Sequence, residues 1–325
     1  MGRLLNGSIA VLVGVGGAVV LFWVLNALVE RLPSRWEHRV KPYVFVGPAM
    51  LVLGLLLVYP SIRTIYVSFF DARSVNFVGA DNYRAIASDP DIRSTVFNNL
   101  LWMIFVPSVS VAAGLLVAVL ADRLTPLWEK ISKSLIFMPM AISMVGAGTI
   151  WLFIYAWRPA GDAQIGLLNA IWTGLGGEPQ TWLTIDTARF NSFLLMVIVV
   201  WLQAGFAMVL LSAAIKSVPS ETLEAARIDG ASEIQIFWRV TVPQIRSTIL
   251  VVTTTIVILV MKVFDIVFVM TGGRFETDLI VVRFIRELFS FREFGRGAAI
   301  VTVLIIATIP IMIYNVRQFR EQEAR

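Results

Sequence analysis

The sequence predicts an all-α fold, a polytopic membrane protein of about seven transmembrane helices, and three observations carry that expectation. The chain of 325 residues is 58% hydrophobic and 15% charged, with a mean hydropathy of +0.79, which is too apolar for a soluble domain. Apolar stretches about as long as a bilayer core is thick recur along it, separated by short polar segments. The basic residues sit in those separating segments and not along one face, a distribution that suits topology and anionic lipid headgroups and not nucleic acid. Cysteine is absent and His38 is the single histidine, so disulfide frameworks, thiolate catalysis and zinc sites built on Cys or paired His are excluded.

The first apolar run, Ser8 to Val29, is expected to be a retained helix and not a signal peptide, because it is long and has no small-residue cleavage pattern after it. A basic cluster comes instead, Arg31, Arg35, Arg39 and Lys41, expected in the cytoplasm, which puts the N-terminus outside. A second span, Tyr43 to Tyr59, is expected to end at Pro60 and to continue as an amphipathic extension from Ser61 to Phe70. The polar segment Asn76-Phe77-Val78-Gly79-Ala80-Asp81-Asn82-Tyr83-Arg84 comes next. Spans three and four, Phe97 to Ala121 and Ser134 to Tyr155, are joined by a short basic loop with Arg123, Lys130 and Lys133. The longer loop from Trp157 to Asn191, with Arg158 and Arg189, is assigned to the outside. Span five, Phe193 to Ile215, and span six, Ile249 to Met270, flank a charged insert, and Thr271-Gly272-Gly273 comes directly after span six. An amphipathic stretch from Leu279 to Phe294 precedes span seven, Gly297 to Tyr314. Basic residues favour this topology except for Arg274, Arg283, Arg286, Arg292 and Arg296, whose alternation with Phe, Ile and Leu suits an interfacial helix. With no internal repeat, the chain divides into residues 1–42, the first helix with its basic linker, and one membrane domain, 43–325.

The insert between spans five and six, Ser220 to Pro243, is expected to be a helix-turn-helix at the membrane surface. Ser220 is expected to cap its first helix, with Glu221 and Glu224 at the positive dipole end. Gly230 supplies the break, Ser232 with Gln235 forms a capping box for the second helix, and Pro243 is expected to close it. Ala225 and Ala226 let another backbone approach, while Leu223, Ile234, Phe237 and Trp238 offer apolar anchors.

Glu224-Ala225-Ala226, three residues, Gly230, nine residues, Val240, one residue and Val242-Pro243 resembles the "EAA" loop of ABC importer permeases, with Val240 and Val242 where that family usually has Ile and Leu. The Asn82-Tyr83 and Thr271-Gly272-Gly273 elements resemble those of its sugar-type branch, the maltose, oligosaccharide and α-glucoside group, and the resemblance runs from about Tyr43 onward. It implies a six-helix permease core plus an extra N-terminal helix in the cell (inner or plasma) membrane. The loop at 217–247 would be cytoplasmic, as would the C-terminus, and Glu224, Ala225, Ala226, Asp229, Gly230, Phe237 and Pro243 would couple it to an ATPase. Implied partners are two ATP-binding subunits, a second homologous permease and a periplasmic or lipid-anchored solute-binding protein, with a sugar as cargo.

No Gly-x-x-x-x-Gly-Lys-Ser/Thr, His-Glu-x-x-His or Gly-x-Ser-x-Gly motif occurs, so the chain is not expected to be an enzyme or to bind a cofactor itself. ATP and Mg would belong to the partner subunits. Polar groups at membrane depth are costly and mark function. Trp201 and Gln203 in span five are the first candidates, since an aromatic face beside an amide suits a sugar ring. Counting against the resembling family adds Thr255, Met140 and Ser143 to the cavity wall. Lys262 and Asp265, three apart, are expected to share a helical face and neutralise each other, either orienting the helix or lining the path. An ion-coupled secondary transporter is the alternative; it calls for inverted repeats and unpaired acids, and Asp265 is the sole midplane acid. A scaffold without transport would leave the polar residues of spans five and six unexplained.

Overall fold

The computed structural model describes residues 2–31 and 33–323, and every regular element among them is helical, with one isolated bridge between Phe70 and Phe77. Two compact units divide the chain, Met1–Tyr66 and Val67–Arg325. In the first, α1 (Gly2–Val29) is followed by α2 (Ser34–Leu53), a π-helical turn (Gly54–Val58) and α3 (Tyr59–Val67). Apolar side chains are exposed all round α1, including Leu12 and Trp23, as lipid contact requires. Phe22 stacks on Phe45 at 6.0 Å between ring centres, holding α1 to α2. The side chains of Arg3 and Arg35, and the tail beyond Glu323, lie outside the described residues.

Pro60 does not end span two, because the helix runs on to Val67. Proline lacks an N–H and crowds the carbonyl one turn back. The turn before it is widened, with the Tyr59 N–H reaching the Gly54 carbonyl five residues earlier, and the helix absorbs the ring there.

The second unit contains α4 (Asp81–Ser88), α5 (Pro90–Ala121), α6 (Pro126–Phe137), a 3-10 turn (Met138–Ala141), α7 (Met144–Ile154), α8 (Leu167–Gly174) and α9 (Phe190–Lys216). After these come the hairpin helices α10 (Ser220–Ile228), α11 (Glu233–Ile236) and α12 (Val242–Gln244), then α13 (Arg246–Val260), α14 (Asp265–Met270), α15 (Ile280–Ile285) and α16 (Phe294–Glu323). At the centre α5 and α9 run parallel. Arg189 before α9 donates to Ser94 of α5 at 2.8 Å, and Lys216 at its end lies 3.3 Å from Asp122. Gly114 allows the close approach, since a Cβ there would sit 2.6 Å from the Cβ of Ala207. Trp102 and Val106 of α5, Leu195, Ile198 and Leu211 of α9, and Ile256 of α13 form the buried core around this crossing.

Among the described residues five helices are long and apolar enough to cross a membrane, and each bent pair counted as one span makes seven. Span four is broken: α6 and α7 meet at 103°, around Pro139 and the N-cap Ser143. Span six is not one helix either. It stops at Val260, and Phe264 leaves helical geometry (φ −131°) to stack on Phe268 at 4.7 Å before α14 begins. Lys262 and Asp265 therefore do not share a helical face, and no ion pair joins them.

The arginines after span six are accounted for by pairing. Arg283 meets Glu287 at 3.0 Å and Asp89 at 3.6 Å, Arg296 also pairs with Asp89 and lies 3.5 Å from Glu287, and Arg286 meets Asp278 at 3.0 Å. Charges neutralised inside the fold do not weigh on topology as free ones do. Arg274 and Arg292 have no ion pair among the described residues. At the same end, Asn82 donates to the carbonyls of Ser68 and Phe70 at 2.9 and 2.7 Å, and the Tyr83 hydroxyl meets that of Ser68 at 2.5 Å. The Asn-Tyr element thereby anchors the chain where it enters the bundle. Thr271-Gly272-Gly273 turns through two left-handed glycines (φ +61° and +74°), and a Cβ on Gly273 would strike Asp278 and Arg286 at 2.6 Å.

Candidate functional site

The hairpin between α9 and α13 is built as a rigid piece. Its first helix ends in a Schellman turn: Gly230 adopts φ +81°, its N–H reaches the Arg227 carbonyl, and the Ala231 N–H reaches that of Ala226, both at 3.0 Å. Ser232 and Gln235 form the expected capping box, at 2.8 and 3.4 Å. Arg227 clasps Glu233 across the turn at 2.8 Å, and this hydrogen-bonded pair raises the pKa of the guanidinium and lowers that of the carboxyl. Two details differ from expectation. Ser220 occupies the first helical position behind Pro219 and makes no side-chain cap. Pro243 does not end the second helix, because a π turn (Phe237–Thr241) widens the backbone ahead of it and the chain stays helical to Gln244, bending by 69° into α13.

Glu224, Ala225, Asp229 and Gly230 are exposed on the hairpin, and Ala226 is half-buried. Phe237 and Trp238 meet edge to face at 5.0 Å and turn toward α5, where with Leu115, Leu116 and Val119 they line an apolar groove of about 300 Å³. Phe237 is half-buried there, while Trp238 stays 60% exposed. The exposed large apolar groups of the hairpin are thus Ile228, 86% exposed, Ile234, 73%, and Trp238; of these, Ile228 is not singled out by the sequence pattern. A large apolar residue just before an Asp-Gly turn is the signal that marks it.

In the bundle, Gln203 is 7% exposed and its amide has no hydrogen-bond partner among the described residues. Neither amide atom is wholly enclosed, so water or a bound solute completes its hydrogen bonds. Trp201 packs edge to face on Trp151 at 5.8 Å, and Trp151 on Tyr155 at 5.3 Å. Two residues apart on a helix point roughly 160° apart, so the fold does not bring the Trp201 ring and the Gln203 amide onto one face. Gly205 packs on α6, with a virtual Cβ 2.5 Å from the Ile136 carbonyl, and α9 also touches the 3-10 turn where span four breaks. Met140, 41% exposed, and Ser143 lie at that break, where the Ser143 hydroxyl accepts from the Gly146 N–H at 3.1 Å. Thr255 is exposed and donates to the Val251 carbonyl at 2.8 Å; Lys262 is exposed and Asp265 half-buried in the first turn of α14. Asp278, outside the spans, is pushed up to about 6 by burial, which outweighs Arg286 and Arg283 beside it. Among the described residues no group of three or more His, Cys, Asp or Glu is placed to hold a metal.

Membrane-length helices around a parallel central pair, broken spans, and a stiff polar hairpin at one end are the architecture of a multi-pass membrane protein. The chain belongs to the family described as "Binding-protein-dependent transport system inner membrane component", which matches residues 94–320. It is 53% identical over 280 residues to the osmoprotective compounds uptake permease protein GgtC of Synechocystis sp., covering 86% of this chain and 99% of that one. To the alpha-glucoside transport system permease protein AglF of Rhizobium meliloti it is 46% identical over 331 residues, covering 98% and 97%. Its fold is similar to that of a chain in the crystal structure of a bacterial ABC transporter involved in import of the acidic polysaccharide alginate. The TM-score is 0.75 at 19% identity, over 88% of this chain and 99% of that one.

Proposed function

We propose that this chain is the transmembrane subunit of an ATP-driven importer that receives a sugar, of the oligosaccharide or α-glucoside class, from an external binding protein. The observation that carries the reading is the hairpin. Its turn, capping box and Arg227–Glu233 clasp lock its shape, while Glu224, Ala225, Ile228 and Ile234 stay free to meet a partner. Two ATP-binding subunits, holding ATP and Mg, would take up that face, and a second homologous permease would complete the pathway. The hairpin and the C-terminus then lie in the cytoplasm. Energy reaches the spans because the ATP-bound and ATP-free partners hold the hairpin differently, and a stiff hairpin transmits that difference to α9 and α13.

The cargo class is supported by two things. Relatives of this chain are named for alpha-glucoside and osmoprotectant uptake, and the Gln203 amide, without a protein hydrogen-bond partner among the described residues, suits the hydroxyls of a neutral solute. The test uses the absence of native cysteine. With Ala225→Cys, cross-linking in membranes is expected to capture an ATP-hydrolysing subunit, with a yield that changes on adding ATP. Labelling of that cysteine by an impermeant maleimide from outside intact cells would defeat the proposal.

A further inference from the structure

The segment between α7 and α9 contains a helix turned inside out. In α8 the polar side chains face the protein. Asn169 is fully buried, donating to the carbonyls of Ala156 (3.0 Å) and Gln180 (2.9 Å) and accepting from the Gln180 N–H (2.9 Å). Thr173, one turn on, donates to the Asn169 carbonyl at 2.8 Å. The outward face is apolar at helical spacing: Leu167 is 58% exposed, Ile171 53% and Leu175, just past the helix, 79%. From Ala163 to Gly177 there is no charged residue, and Asp162 and Glu178 bound the stretch.

This geometry is fixed and not a matter of loose packing. Gly166 sits so close to Ala156 that a Cβ would be 2.1 Å from its carbonyl oxygen. Gly177 lies under the Trp172 indole, which in turn packs on Trp182 at 6.0 Å. The apolar face is therefore presented outward, and the neighbouring α7 also exposes apolar side chains, with Ile150 and Phe153 44% and 69% exposed and Trp157 beyond it at 44%. Tyr155, at the end of α7, donates to the Leu194 carbonyl in the first turns of α9, so the whole arrangement stands at the end of the bundle away from the hairpin.

We infer that α8 lies in the membrane interface, its Leu167–Ile171–Leu175 face sunk into the lipid leaflet on the side opposite the hairpin. The face itself carries no charge, and the exposed charges beside it, Asp162 and Glu178, stand only at its two ends, where an interfacial helix reaches water. A helix of two turns is too short to span but suited to lie at the acyl–headgroup boundary, with tryptophans at its edge. Its role would be to fix the outer end of the broken span, so that motion of the hairpin is taken up at the bend and not lost by rocking of α7.

The test is electron paramagnetic resonance on the full chain in phosphatidylethanolamine–phosphatidylglycerol nanodiscs, with a nitroxide on Ile171→Cys or Leu175→Cys and on Glu178→Cys as a water-facing reference. The sites are exposed, so labelling leaves the fold intact. At positions 171 and 175, collisions with oxygen are expected to exceed those with a water-soluble nickel chelate several-fold, reversing the ratio at position 178. Nickel access at 171 and 175 would place α8 in water, and loss of both kinds of collision would place it against protein; either result overturns the inference.

Discussion

At the scale of single residues, the proposed function turns on Gly230 and Gln203. At Gly230 nothing lies within 4 Å of a virtual Cβ, so the constraint is the backbone, at φ +81°. A side chain there costs about 1–2 kcal/mol in left-handed strain, more for a β-branched one. Gly230→Val is expected to leave the protein inserted at normal amounts but to lower ATPase stimulation by loaded binding protein; unchanged uptake would show that docking tolerates a remodelled turn. Gln203→Ala removes an amide with no protein partner, so protein amounts should not change. Losing one hydrogen bond to cargo, about 1 kcal/mol, is expected to weaken apparent affinity roughly fivefold. If instead the variant fails to assemble while the remaining uptake keeps its normal KM, Gln203 is a packing residue. The glycine was legible from the sequence because the signal is its own backbone preference. The opposite facing of Trp201 and Gln203 follows from the helical period alone, but the lack of a protein partner for the Gln203 amide was not legible, since it depends on what α9 packs against.

Elements show the same division. The ends of the hairpin helices are set by Gly230, Ser232 and Gln235, each acting within a turn or two. The interruptions in spans two, four and six are not visible in apolar length. A π turn before Pro60, a 103° bend at Met138–Ser143 and the departure of Phe264 each reconcile a local preference with neighbouring helices. The parallel contact of α5 and α9 depends on Gly114. Gly114→Val would drive carbons into Ala207 and the Met208 backbone, and overpacking of that kind costs about 1–3 kcal/mol. A lower melting temperature in nanodiscs is expected, with Gly14→Val on α1, where nothing is near, as the unaffected control. Equal melting temperatures would mean the crossing relaxes freely.

At the scale of the molecule, the end away from the hairpin is held by Arg283 and Arg296 between Asp89 and Glu287, the last 2% exposed. Removing one cation from a buried set leaves an uncompensated carboxylate, a loss of about 3–5 kcal/mol. Arg283→Ala is therefore expected to abolish stable expression, whereas Arg274→Ala, exposed and outside any ion pair among the described residues, is not. Similar amounts of both variants in the membrane would remove the network from the account. By itself the sequence determined the class, the approximate spans, the hairpin and its family, because hydropathy, capping and turn signals act over a few neighbouring residues. Tertiary structure alone decided which arginines are neutralised, where spans break and which polar groups are left unpaired. Those outcomes join residues as far apart as Asp89 and Arg296, and only packing brings such residues within reach of each other.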